Sequence, residues 1–181
     1  MTAQLILAAL LSMAPDSNAT PAGAVSSGVP MIQPGAVEIG LSGAFTSVEG
    51  VSHATASVRG GRFSALGRGL VAAGGEVVFS HASGLDEVAL EAVISYQRRV
   101  RGGSLYPYVA LAGGPRQEWL GSFREVRYPI GVTLGLRTLA GAHAATLLEY
   151  RLRRVLHDPV ADFTEHQVVV GLSLLFHNRA R

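Results

Sequence analysis

Between Gly35 and His177 apolar side chains recur at every second position, the period of a β-strand with one greasy and one polar face. The stretch Thr164 to Phe176 shows it most plainly: Val168, Val170, Leu172, Leu174 and Phe176 share one parity, and Gln167, Gly171, Ser173 and His177 the other. Toward the N-terminus, Gly35 to Phe45 sets Val37, Ile39, Leu41 and Phe45 against Glu38, Gly40, Ser42 and Ala44. From about Ser52 to Phe63, Ala54, Ala56 and Val58 alternate with His53, Thr55, Ser57 and Arg59. A third strand carries Val71, Ala73, Val77 and Phe79 and ends near His81. The fourth opposes Val88, Leu90, Ala92, Ile94 and Tyr96 to Glu87, Ala89, Glu91, Ser95 and Gln97, an alternation that outweighs its helix-forming Ala, Leu and Glu. Leu105 to Gly114, Tyr128 to Arg137 and Ala144 to Arg153 repeat the pattern, and with the terminal stretch make eight strands.

Short glycine-bearing turns at Leu66 to Gly69, Arg101 to Ser104 and Ala140 to Ala142 alternate with less regular connections. The longest of these is Pro115 to Arg127, a polar and aromatic insert that reads as a loop. An even number of antiparallel strands joined in this way predicts an up-and-down barrel.

Which parity faces inward follows from charge. The polar parity carries Glu38, Glu76, Glu91 and Glu149 together with Arg59, Arg137 and Arg151, and also Arg127 and Arg153 near strand ends, where plain solvation competes. The chain is 48% apolar yet contains no run of the roughly 18 or more apolar residues that a spanning helix needs. That combination predicts a barrel whose apolar face meets lipid, where an Arg at mid-depth would cost about 2–4 kcal/mol. The charged residues are therefore expected inside, pairing with one another in a lumen just wide enough to be filled by side chains. Aromatics should gather in girdles at the two interfaces, with Phe45, Phe79 and Tyr128 at the loop ends and Phe63, Tyr96, Tyr106 and Phe176 at the turn ends. The competing architecture is a soluble, exported, lipocalin-like binding barrel, which requires the opposite facing.

Ahead of the barrel, Leu5 to Met13 is a short apolar run and Ala22-Gly23-Ala24 fits a signal-peptidase site, so residues 1–24 read as a signal peptide, although Met1 to Gln4 holds no basic residue. Residues 25–34 are Ser/Gly/Pro-rich and read as a flexible lead-in, the barrel occupies 35–177, and 178–181 form a tail.

The terminal strand closes as Gly171-x-x-Leu174-x-Phe176, which resembles the assembly signal of bacterial outer-membrane barrels, and Leu105-Tyr106-Pro107-Tyr108-Val109-Ala110-Leu111-Ala112-Gly113-Gly114 resembles a strand that recurs in their small members. Residues 35 to 177 thus resemble the eight-stranded, porin-like OmpA/OmpX/OmpW family of Gram-negative bacteria. Val169 departs from the polar residue usual there, and the chain continues past the aromatic as His177-Asn178-Arg179-Ala180-Arg181. The resemblance implies an all-β, eight-stranded antiparallel up-and-down transmembrane β-barrel with short periplasmic turns and longer outer loops. It further implies an outer-membrane location, a monomer, delivery by the barrel assembly machinery through Gly171, Leu174 and Phe176, and outer-membrane lipids and lipopolysaccharide as partners. Arg116, Trp119, Phe123 and Arg124, in the Pro115 to Arg127 insert, would meet lipopolysaccharide phosphates and acyl chains or act as interface anchors.

No reaction is legible. There is no Cys, which excludes thiolate chemistry and disulfides, the six His residues show no repeated ligand spacing, and no metal or cofactor is expected. All 15 basic residues are Arg, dispersed and without an aromatic platform against a net charge of +2, a poor match for nucleic-acid binding. One catalytic alternative exists. His81-Ala82-Ser83 has the two-apart His and Ser of the outer-membrane lipid A deacylases, and Glu87 or Glu91 could orient the His, although that family places the motif near its C-terminus and follows the Ser with Asn. The reading that follows is a non-enzymatic outer-membrane barrel of structural, surface-interaction or narrow-conduit type.

Overall fold

The structure, a computed structural model, describes residues 31–48, 51–82, 84–100, 103–156 and 164–177. The expected signal peptide and tail, and residues 25–30 of the lead-in, lie outside the described residues. The strands are β1 (Val37–Val48), β2 (Val51–Leu66), β3 (Gly69–Ala82), β4 (Leu85–Gln97), β5 (Leu105–Gly113), β6 (Arg116–Leu120), β7 (Phe123–Leu139), β8 (Ala144–Leu156) and β9 (Thr164–Phe176). Each pairs antiparallel with its neighbours, and β1 pairs with β9 from Val37 opposite Phe176 to Gly43 opposite Val170, closing the sheet. Closure leaves no free edge among the described strands. Among the described residues no helix is long and apolar enough to cross a membrane.

Among the described residues nine strands fill eight places in the wall, because β5 and β6 are one strand with a gap. Ala92 faces Gly113 and Ala89 faces Arg116 across β4, while Gly113 faces Ile130 and Arg116 faces Arg127 across β7, so the register is the same on either side. The gap is Gly114-Pro115. Pro115 has no N–H to donate, but its carbonyl accepts from the Leu90 amide at 3.0 Å, and the Gly114 amide donates to Pro129 at 3.3 Å. A Cβ at Gly114 would overlap the Leu90 carbonyl. The Pro115 to Arg127 insert is consequently strand: β6 and the start of β7 form a hairpin closed by Gly121 at φ +60°, which prolongs the wall where a loop was expected.

Facing follows the alternation. On the outside Leu41 is 60% exposed and Leu172 65%, while Glu149 is 1% and Arg137 2% exposed inside. A soluble binding barrel needs the reverse, so the lipocalin-like alternative fails on facing. Val168 to Phe176 gives nine residues of outward apolar alternation. At about 3.3 Å per residue and about 40° of tilt that spans roughly 23 Å, close to the ~25 Å apolar band of an outer-membrane barrel.

Five of the seven girdle aromatics, Phe45, Phe79, Tyr96, Tyr128 and Phe176, stand exposed on the outer wall. The other two do not. Phe63 and Tyr106 are buried in the lumen at the turn end, on the same parities as Arg59 and Tyr108, and pack with Ala72, Leu139, Ala145 and Leu175. Into this apolar cup the chain before β1 inserts Ile32, 3% exposed. The Ile32 amide donates to the Tyr106 hydroxyl at 3.2 Å, and the Gly35 amide to the Phe63 carbonyl at 2.7 Å. Residues 31–34, expected in the flexible lead-in, are thus fastened across the turn-end mouth.

Candidate functional site

The lumen holds the polar residues that alternation turns inward. At its centre Arg59 on β2 donates to Glu76 on β3 through Nε and Nη2, at 3.1 and 2.9 Å, and to both oxygens of Glu149 on β8, at 2.8 and 3.2 Å. Arg151, two residues beyond Glu149 on the same face, reaches Glu76 at 2.9 Å and Glu149 at 2.7 Å. Two guanidinium groups and two carboxylates therefore close a neutral four-membered ring across the bore. Ser57 and Tyr108 complete it by donating their hydroxyls to Glu76 and Glu149. Charges removed from water this thoroughly are tolerable because each has an opposite partner and its lone pairs are used.

Toward the turn end, Arg137 holds both oxygens of Glu38 at 2.8 Å, bonds Gln97, and lies over the rings of Phe63 and Tyr108 at 5.1 and 5.3 Å. Toward the loop end, Arg153 donates to Glu91 at 2.7 Å. All seven residues expected in the lumen, Glu38, Arg59, Glu76, Glu91, Arg137, Glu149 and Arg151, thus lie in the bore as three ion-paired groups at successive heights. Tyr108, Ser57 and Gln97 join them. Sequence reasoning passed over these three because neutral side chains raise no question about facing, though each sits on an inward parity.

The loop-end mouth has its own arrangement. Glu87, Glu118 and Glu125 face one another across β4, β6 and β7. Like charges directly opposite are unfavourable, and the next row answers them with Arg116 and Arg127 side by side. Arg116 is 4% exposed and grips Glu165 on β9 with two bonds at 2.6 and 3.0 Å. It does not contact the outside, which corrects its expected role in a loop facing lipopolysaccharide: β6 continues the parity of β5, and even-numbered residues there point inward. Arg127 meets Glu125 at 3.0 Å and Glu118 at 3.4 Å. Trp119 and Arg124, by contrast, are cross-strand partners on the outer parity, and Phe123 at the hairpin tip is 58% exposed. Of the residues expected to carry the assembly signal, Leu174 and Phe176 face outward, while Gly171 packs against Ser42 on β1.

The catalytic alternative does not assemble. His81 lies on the outer wall with its Nδ1 2.6 Å from Asp86, whereas Glu87 and Glu91 are turned inward, on the far side of the wall from it. Ser83 lies outside the described residues. Among the described residues no group of three or more His, Asp or Glu is placed to hold a metal ion.

No protein-family model matches the sequence, and no curated protein matches it. Similarity appears at the level of solved structures. The N-terminal β-barrel domain of Pseudomonas aeruginosa OprF matches with a TM-score of 0.58 at 16% identity, over 79% of this chain and 98% of that one. Neisserial surface protein A (NspA) matches with a TM-score of 0.56 at 12% identity, over 78% and 96%. The outer membrane enzyme PagL matches with a TM-score of 0.50 at 11% identity, over 79% and 99%. The chain has the fold of these small eight-stranded barrels. That fold carries an enzyme as well as other proteins, so the activity has to be argued from the chain's own residues.

Proposed function

We propose that the protein is an integral outer-membrane barrel with a closed lumen, acting as a structural element of the membrane that offers its loop-end hairpins for surface contact. The observation that carries this reading is the inverted polarity: a continuous apolar exterior around a bore filled with paired Arg and Glu. The central ion-pair ring and the Ile32 seal occupy the bore at two heights, which favours a plug over a conduit. The start of β1 and the end of β9 both lie at the turn end, as they must with an even number of strands in the wall, and a barrel inserted from the periplasm keeps that end there. The loop end then faces outward. At that rim Trp119, Phe123 and Arg124 have the aromatic and cationic character suited to acyl chains and phosphates of lipopolysaccharide. The assembly machinery would read Gly171, Leu174 and Phe176, and the barrel acts as a monomer. We assign no reaction.

Electrophoresis of the detergent-extracted protein with and without boiling tests the reading. A fast band that shifts on heating supports a detergent-stable barrel, and near-zero conductance in planar bilayers supports the plug. A protein that stays in solution without detergent and shows no shift overturns it.

A further inference from the structure

A groove of about 920 Å³ indents the outer wall. It starts at Ala73 on β3 and follows one row of the sheet, Ala92–Gly113–Ile130–Arg154–Thr164, each residue of the row directly opposite the next. Six strands at about 4.8 Å give a row of about 24 Å, and because barrel strands tilt, a row at right angles to them climbs steeply through the apolar band. Its floor is low because Ala73, Ala92 and Gly113 lack bulk, and a Cβ at Gly113 would press on the Pro129 carbonyl at 3.2 Å. The upper end is different in kind: Arg154 and the hydroxyl-bearing Thr164 line it at the loop end of β8 and β9, both exposed on the outer face.

We propose that this groove binds one molecule of the phosphorylated glycolipid of the outer leaflet, lipid A. An acyl chain lies in the dent between β3 and β8, and a phosphate meets Arg154 and Thr164. The inference rests on the membrane-barrel reading above and adds to it a site away from the Trp119 rim. Three features select this occupant. The groove lies within the band that faces acyl chains, so its natural filling is a chain. Its cationic end is at the loop side, the height of the outer-leaflet headgroups. A guanidinium beside a hydroxyl suits a phosphate, which accepts charge-assisted bonds from the planar Arg fork. A barrel wall is otherwise convex, and lipids against a convex wall exchange without preference; a concave floor with a charged end can retain one lipid and choose its headgroup.

The test uses purified wild type, Ala92→Phe and Arg154→Gln in detergent, each offered an equimolar mixture of lipid A, dephosphorylated lipid A and phosphatidylglycerol. Retained lipid is counted by native mass spectrometry, and the same samples are run boiled and unboiled. Wild type should retain one lipid A in preference to both competitors. Filling the dent with Ala92→Phe, or removing the charge with Arg154→Gln, should each lower retention by at least about tenfold. Both substitutions are on the outer face, so the unboiled band should keep its fast migration. Equal retention by the variants, equal retention of phosphatidylglycerol, or no retained lipid overturns the groove while an intact heat shift leaves the barrel reading standing. Absence of the heat shift in wild type overturns both.

Discussion

Arg59 and Glu149 are separated by 90 positions in sequence and by β1 and β9 in the wall, yet the guanidinium meets both carboxylate oxygens across the lumen. Glu149 is shared with Arg151 and Tyr108, so it is the acceptor on which most of the ring converges. Replacing Glu149 with Gln keeps the shape and deletes the charge, leaving two buried guanidinium groups facing one remaining carboxylate. Breaking a buried ion pair by removing one partner costs about 3–5 kcal/mol. The temperature at which the unboiled band is lost should therefore fall clearly for Glu149→Gln, and adding Arg151→Gln should recover part of the loss because the two sites are coupled. An unchanged transition for the single variant would mean that the ring contributes nothing net.

Facing can be tested at neighbouring positions. Leu172 is 65% exposed on the outer wall and Ser173 is 3% exposed on the inner. Leu172→Arg should reduce the folded fraction in lipid vesicles, at a cost of about 2–4 kcal/mol near mid-depth, while Leu172→Ile should fold as wild type does. The heat-shifted fraction on a gel measures both. If Leu172→Arg folds normally in vesicles, or makes the protein soluble without detergent, the apolar face does not meet lipid.

Alternation made the eight-place barrel legible, because a slip of one residue would carry an entire charged row into lipid. What it did not reveal has specific physical reasons. Gly114-Pro115 reads as the end of a strand, since Pro cannot donate to a ladder; only the constant register of β4 and β7 on either side makes it a gap. Nearness to turns points Phe63 and Tyr106 to a girdle, although their parity matches that of Arg59 and Tyr108. A loop reading of Pro115 to Arg127 removes Arg116 from the wall, whereas its parity with Ala110 and Ala112 turns it inward once the strand continues. Ile32 had no local signal at all: its cup is assembled from several strands distant in sequence. The groove is equally invisible locally, because it needs the small residues Ala92 and Gly113, from different strands, to fall opposite each other.

Gly135 and Tyr108 are direct cross-strand partners on β7 and β5, and the tyrosine ring covers the glycine closely enough that a Cβ there would overlap it. The missing side chain is what lets the ring lie flat and bring its hydroxyl to Glu149. Gly135→Ala should displace the ring and cost about 1–3 kcal/mol, as overpacking does. In a Tyr108→Ala background the same substitution should cost little, because the overlap is gone. A double-mutant cycle on thermal stability in detergent gives the coupling directly, and additive effects would show that the ring does not depend on the glycine.

The turn-end seal and the central ring lie in series along one bore, which makes a sharper prediction than either alone. Ile32 is held by the Phe63, Tyr106 and Leu139 cup and by the Gly35 to Phe63 hydrogen bond at 2.7 Å. Ile32→Ala should cost about 2–5 kcal/mol in the local opening of this segment, read as faster hydrogen exchange at the Gly35 amide with the β-strand amides unchanged. Ile32→Asp, which places an unpaired carboxylate among apolar groups, should release the segment altogether. Conductance in planar bilayers should nevertheless stay near zero for Ile32→Asp, because the Arg59, Glu76, Glu149 and Arg151 ring still fills the bore. It should also stay near zero for Glu149→Ala with Arg151→Ala, which leaves the seal in place. The three substitutions together should conduct, since the seal and two of the four members of the central ring are then removed. Current through the Ile32 variant alone would show that the ring leaves a path around it, and a silent triple variant would show that the Arg137 and Glu38 pair, or the mouth, closes the bore by itself.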